Sequence, residues 1–144
     1  MLVQQILGTK GDNAVTTVKP DTKVSEATQI LAERRIGVLI VSKSGNTPDG
    51  ILSERDIVRS LGVRGASTLD ENVDKMMTHN PVCCTRQDTS DVVLKRMTDG
   101  RFRHMPVVED GKLIGIVTIG DVVKARMQEL AMEKDALQGM IMGH

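Results

Sequence analysis

The chain has 144 residues, and its 19 lysine and arginine residues are balanced by 19 aspartate and glutamate residues, giving a formal net charge of +0. Without a basic excess to neutralise phosphates, this composition excludes a nucleic-acid-binding protein that acts through long-range charge. Hydrophobic residues make up 40% of the chain, but it has one Phe, no Tyr and no Trp. Aliphatic side chains and methionines must therefore fill the core of one compact unit, or of two small halves that share a core.

The first segment, MLVQQIL, is apolar but is soon followed by Gly8, Lys10 and Asp12. An apolar run of this length is too short for a signal peptide or a membrane span. We therefore expect a cytoplasmic chain that does not contact a membrane.

In chain order, the predicted elements occur twice. A short strand at 15–18 precedes a helix whose apolar residues Val24, Ala27 and Leu31 have helical spacing. An apolar strand at 36–42, a glycine-containing turn and a second strand ending at Ser53 follow, and then a second helix begins. This order predicts a βαββα unit.

The second copy begins with a predicted strand at 82–85, and Asp88-Thr89 repeats the earlier Asp21-Thr22. Its central strand is predicted at 104–108, and its last strand ends at Thr118. Because a unit of this size buries little by itself, the two copies are expected to pack sheet to sheet as one folding unit.

The predicted boundaries follow from this repeat. Repeat 1 with its N-terminal segment covers 1–62, and repeat 2 with its connecting helix covers 69–133. A C-terminal helical extension covers 134–144, and GVRGAST at 62–68 is the expected linker. Within this region, Thr68 and Glu71 have capping-box spacing, which predicts a helix before repeat 2.

Each repeat contains the same nine-residue pattern, GILSERDIV at 50–58 and GIVTIGDVV at 115–123. In both, a strand passes into a helix at a hydroxyl residue that is followed three positions later by Asp. A capping box explains this spacing without a ligand, because the hydroxyl and the carboxylate accept hydrogen bonds from free backbone N–H groups. A ligand role for the same Asp residues is compatible with capping.

The two nine-residue patterns, the strands IGVLIV and HMPVV, and the phrase GRFRHMPVVEDGKLIGIV together resemble the cystathionine-β-synthase (CBS) domain family. The resemblance covers nearly the whole chain as a tandem pair, also called a Bateman module. It implies an α/β (α+β) fold of two pseudo-symmetric βαββα repeats packed sheet to sheet, and a disc-like homodimer. The sequence gives a second reason to expect a dimer, because an apolar helical stripe continues past the end of repeat 2. Its residues are Val123, Met127, Leu130, Leu137 and Met140.

The resemblance also implies a stand-alone regulatory protein that binds AMP, ATP or NAD(H) between its repeats and senses energy or redox state. Ser53 and Asp56 would bind the ribose in one cleft, and Thr118 and Asp121 in the other. The full set of candidate ligand-binding residues is Thr17, Lys19, Pro20, Gly37, Val38, Leu39, Ser53, Arg55, Asp56, Cys84, Arg101, Arg103, His104, Met105, Pro106, Thr118, Gly120 and Asp121.

The two clefts are expected to differ, because Gly37-Val38 in repeat 1 stands where repeat 2 has Arg103-His104. A phosphate needs fixed cations nearby, so its expected position is toward the basic residues of repeat 2. His104 would add charge below about pH 6.5. Ordinary surface charge is the alternative for each arginine, and a backbone-bonded strand residue is the alternative for His104.

Catalysis is not expected, because the sequence has no Walker lysine loop, no carboxylate cluster for a metal, and no His or Asp at a motif-like spacing from Cys83 and Cys84. A structural dimerisation module with vestigial clefts is one alternative, and a redox or metal sensor built on the two cysteines is another. The sequence does not name the protein that would be regulated.

Overall fold

The computed structural model describes residues 1–11 and 15–142, and the first repeat forms most of a four-stranded sheet. Strand β1 pairs parallel with β2, which pairs antiparallel with β3, and β3 pairs antiparallel with the short strand β4. The elements up to the end of the first repeat are α1 Val3–Lys10, β1 Thr17–Val18, α2 Val24–Arg34, β2 Val38–Val41, β3 Gly50–Ser53 and α3 Glu54–Arg64.

The second repeat contributes a two-stranded antiparallel sheet, β5 with β6. Two 3₁₀ turns, Ala66–Asp70 and Val73–Lys75, connect the repeats. The remaining elements are β4 Thr78–His79, α4 Ser90–Gly100, β5 His104–Glu109, β6 Lys112–Thr118 and α5 Ile119–Ile141. The chain is thus a mixed α/β fold of two repeats.

Two predicted elements are wrong. The strand expected at 82–85 is a single bridge between Cys84 and Val107, because the backbone N–H of Thr85 donates to the Asp88 carboxylate and turns the chain away. No capping box forms at Thr68: this residue lies within a 3₁₀ turn, and its buried hydroxyl donates to the Ser60 carbonyl instead.

Each repeat has its own apolar core, and each core includes part of the segment that precedes the other repeat. Helix α1 precedes repeat 1, yet its buried residues Val3, Ile6 and Leu7 pack in the core of repeat 2. In return, Val73, which precedes repeat 2, is buried in the core of repeat 1. This exchange joins the two halves into one unit.

The exchange explains the glycine that opens each nine-residue pattern. A Cβ on Gly50 would lie 2.2 Å from Sδ of Met77, and a Cβ on Gly115 would lie 3.0 Å from Cδ2 of Leu7. Met77 and Leu7 therefore take equivalent places. Met77, which precedes repeat 2, packs against the last strand of repeat 1, and Leu7, which precedes repeat 1, packs against the last strand of repeat 2. A side chain at either glycine position would force Met77 or Leu7 to move.

Helix α5 continues well beyond repeat 2 and carries the apolar stripe expected from the sequence. Within the described part of the chain no helix is both long and apolar enough to cross a bilayer. The stripe is exposed in the single chain, with Met127 66% and Leu130 53% exposed.

Candidate functional site between the repeats

Residues from both sheets line two cavities, and the larger has a volume of about 410 Å³. We call it cleft 1. Its lining consists of Gly37, Val38, Ile51, Ser53, Glu54, Arg55, Asp56, Arg59, Thr78, Asn80, Pro81, Val82, Gly100, Arg101, Phe102, Arg103 and His104. Cleft 1 thus brings the Ser53-Asp56 pattern of repeat 1 together with the basic residues of repeat 2.

Ser53 and Asp56 form the capping box that their spacing predicts. The backbone N–H of Ser53 donates to Oδ2 of Asp56 at 2.9 Å, and the Ser53 hydroxyl donates to the same oxygen at 3.0 Å. The backbone N–H of Asp56 donates to the Ser53 hydroxyl at 3.3 Å. Both side chains also line cleft 1, so the cap fixes a carboxylate at its wall.

Four arginines line cleft 1, which makes it rich in hydrogen-bond donors for an anion. They are Arg55, Arg59, Arg101 and Arg103. In the described ranges none of the four guanidinium groups forms an ion pair with a protein carboxylate. Glu54 and Asp56 are the carboxylates in the lining, so cations outnumber anions there.

Arg101 is held in an unusual backbone conformation. It ends helix α4 with φ 57° and ψ 43°, in the left-handed region that favours glycine, and its N–H donates to the Met97 carbonyl. A left-handed non-glycine residue is strained, and such strain often occurs at binding sites.

His104 lies in the wall that the two cavities share. Burial lowers the pKa of His104 below its ordinary value, Glu54 acts in the opposite direction, and the nearby Lys10 and Arg103 lower it further. His104 therefore gains its proton at a lower pH than the value near 6.5 expected from the sequence.

Cleft 2 is the smaller cavity, with a volume of about 240 Å³. It is lined by Lys10, Val15, Thr16, Ile36, Gly37, Val38, His104, Ile116 and Thr118. From the alignment of the two repeats, Gly37-Val38 and Arg103-His104 were expected in different clefts. The structure corrects this expectation, because Gly37, Val38 and His104 line both cavities.

The second pattern also forms its capping box, but its Asp has an additional partner. The backbone N–H of Thr118 donates to Oδ2 of Asp121 at 2.9 Å, and Nζ of Lys10 lies 2.9 Å from the same oxygen. Burial tends to raise the pKa of Asp121, but hydrogen bonds from Thr118 and Lys10 lower it below its ordinary value. Asp121 is paired with Lys10 and is not in the lining of cleft 2.

The other candidate residues lie outside both linings. Leu39, Met105 and Cys84 are buried in the two cores, and Pro106 is buried in β5. The remaining ones are Thr17, Lys19, Pro20 and Gly120, of which Lys19 is exposed.

Several lining residues were missed by the sequence analysis. Lys10 and Asn80 belong to the segments that precede the repeats, and these segments cross to the opposite repeat. Arg59 lies one helical turn after Arg55 on α3, so its position was accessible from helical spacing. Phe102, the one aromatic residue, also lines cleft 1.

Burial disfavours the thiolate form of both cysteines. Burial raises the pKa of Cys84 to about 12, and burial also raises the pKa of Cys83. Thiolate is the form that binds metals and reacts with oxidants, so both environments disfavour such chemistry. The described residues contain no group of three or more His, Cys, Asp or Glu side chains that could hold a metal ion.

Residues 11–63 and residues 73–128 each match the CBS domain family. Along 98% of its length the chain is 33% identical to the CBS domain-containing protein CBSX3, mitochondrial, of Arabidopsis thaliana, and it covers 70% of that protein.

Two solved structures give the same result. The CBS-domain containing protein ATU1752 of Agrobacterium tumefaciens is 43% identical, with a TM-score of 0.82 over 88% of this chain and 99% of that one. The CBS domain protein PAE2072 of Pyrobaculum aerophilum, solved in complex with AMP, is 25% identical, with a TM-score of 0.77 over 92% of this chain and 99% of that one.

Proposed function

Because the chain belongs to the CBS domain family, as a tandem pair of CBS domains, we propose that it binds an adenine nucleotide in cleft 1. AMP, ATP and NAD(H) are the candidate ligands. In this proposal the chain is a regulatory module that reports energy or redox state to another protein, and it performs no catalysis itself.

One observation carries the proposal: the same cavity is lined by a capped carboxylate and by four arginines that pair with no carboxylate in the described part of the chain. Asp56 has acceptor oxygens for ribose hydroxyls, and hydrogen bonds to a charged group contribute about 1.5–3 kcal/mol each. Arginine is the suitable donor for phosphate, because its planar fork binds two oxygens at once. The AMP bound to the similar protein of Pyrobaculum aerophilum supports this ligand class.

A thermal-shift panel tests the proposal directly. AMP, ADP, ATP, NAD, NADH and S-adenosylmethionine would be added separately to the chain and to Asp56→Asn. A ligand at 100 times its Kd stabilises the folded state by about 2.7 kcal/mol, so a true ligand should raise the midpoint clearly. We expect the rise in the unaltered chain and its loss in the variant. If no compound raises the midpoint, the clefts are vestigial and the chain serves as a structural dimerisation module.

The apolar stripe on α5 supports a second element of the proposal, a homodimer. Among the residues described, Met127, Leu130, Leu137 and Met140 are each more than half exposed. Contiguous apolar surface on a helix usually marks a contact with another protein. A second copy of the chain would cover it, as in the disc that the family resemblance implies.

A further inference from the structure

The pairing of Lys10 with Asp121 has no counterpart in cleft 1. Nζ of Lys10 is 2.9 Å from Oδ2 of Asp121, and it also donates to the carbonyl of Ile116 at 2.9 Å. Oδ2 of Asp121 also accepts a hydrogen bond from the backbone N–H of Thr118. In cleft 1, among the residues that the structure describes, the second partner of the equivalent oxygen is the hydroxyl of Ser53.

The equivalent position in cleft 1 is identified by the two close glycine contacts. Leu7 lies against Gly115 and Met77 lies against Gly50. Three residues after Leu7 comes Lys10, and three residues after Met77 comes Asn80, which lines cleft 1. Pseudo-symmetry therefore places a neutral amide beside one cleft and an ammonium beside the other.

The ion pair between Lys10 and Asp121 is held in place by the two helices that carry these residues. Lys10 ends α1, whose Val3, Ile6 and Leu7 are buried in the core of repeat 2. Asp121 lies in the first turn of α5, in that same repeat. The ion pair is only about one quarter exposed, at 25% for Lys10 and 24% for Asp121, so water screens it less than a surface pair.

We propose that Lys10 closes cleft 2 to the ribose, because it pairs with Oδ2 of Asp121 and lies in the cleft lining where Asp121 does not, so that each chain binds its nucleotide in cleft 1 alone. This inference rests on the proposed function, and it identifies Lys10 as the residue that decides which cleft binds. Two further observations agree with it. Cleft 2 is the smaller cavity, and its lining has no arginine to hold a phosphate.

Adenosine is the suitable probe, because it presents base and ribose without a phosphate. In isothermal titration calorimetry we expect one adenosine per unaltered chain and none with Asp56→Asn. Adding Lys10→Gln to Asp56→Asn should restore one site per chain, because the amide frees the carboxylate. Adding Asp121→Asn to that double variant should abolish the site again. The matched control is Lys10→Arg with Asp56→Asn, which keeps the ion pair and should bind nothing.

Two results would overturn the inference while leaving the proposed function intact: two adenosines per unaltered chain, or no restored site with Lys10→Gln. If the unaltered chain binds no adenosine, the proposed function fails and so does the claim of a single site in cleft 1. An Asp121-dependent site created by Lys10→Gln would then show only that Lys10 blocks cleft 2. If the Lys10→Gln protein does not fold, Asp121→Asn alone decides. Adenosine affinity within about twofold of the unaltered chain supports closure, and a loss of about tenfold or more contradicts it.

Discussion

Replacing Arg101 with glycine should make the protein more stable and, at the same time, a weaker binder of AMP. Arg101 has φ 57° and ψ 43° at the end of α4. The left-handed conformation costs an L-residue about 1–2 kcal/mol. Glycine removes this cost, but it also gives the unfolded chain more conformational entropy, which lowers the free energy of unfolding by about 0.5–1 kcal/mol. The free energy of unfolding should therefore rise by about 0.5–1 kcal/mol in Arg101→Gly.

The same substitution removes a guanidinium group from cleft 1. A hydrogen bond to a charged group contributes about 1.5–3 kcal/mol, but Arg101 is exposed and water screens it. We therefore use the lower end of that range, about 1.5 kcal/mol, which corresponds to slightly more than a tenfold rise in the Kd for AMP. Adenosine lacks the phosphate and should bind unchanged.

Arg35 supplies the matched control. It ends α2 with φ 53° and ψ 46° and donates its N–H to the Leu31 carbonyl, the same cap as at Arg101, but it lines neither cleft. Arg35→Gly should raise stability by the same amount and leave AMP binding unchanged. Denaturant unfolding and calorimetry on both variants check these values. An unchanged AMP affinity in Arg101→Gly would refute the phosphate role, and an unchanged stability in Arg35→Gly would refute the strain argument.

Three further predictions follow from the site and from α5. Arg103→Ala should weaken AMP binding by about tenfold and adenosine binding by less than about twofold in calorimetry; equal losses would mean that Arg103 only supports the fold. Because burial lowers the pKa of His104, the unfolded chain binds its proton first, and stability should fall as pH drops below about 6.5. Denaturant unfolding at several pH values should show this decline reduced in His104→Asn but unchanged in His79→Asn, whose residue is exposed in β4; equal declines in all three proteins would contradict it. By light scattering at micromolar concentration we expect a dimer for the unaltered chain and a monomer for Leu130→Glu, and a monomeric unaltered chain would refute the dimer proposal.

The fold was predictable because its signals are local and occur twice. Helical spacing from Val24 to Leu31 and the apolar strands on either side of a glycine turn report burial directly. The weakest prediction was the strand at 82–85, where a side chain decides the outcome. The Asp88 carboxylate takes the N–H of Thr85, and propensity alone does not register that competition.

The part of the candidate site that follows from a short, fixed residue spacing was predictable. The spacing of Ser53 and Asp56 predicted the cap, and the family resemblance implied that both residues line a cleft, as they do in the structure. Leu39 and Met105 were less predictable, because alternation along a strand leaves open which face meets the cavity and which meets the core. In the structure both lie in the apolar cores, and His104, next to Met105, faces the cavities instead.

The difference between the clefts was the hardest feature to predict, because it lies outside the repeats. Aligning repeat 1 with repeat 2 pairs Gly37-Val38 with Arg103-His104, but all four residues line the same cleft. The two clefts differ instead in Lys10 and Asn80. Both residues lie in segments that precede one repeat but pack against the other, so an alignment of the repeats does not compare them. A duplicated fold with exchanged segments can therefore keep both carboxylates for capping and still lose one of them for binding. Only the second carboxylate has a lysine within 2.9 Å among the described side chains.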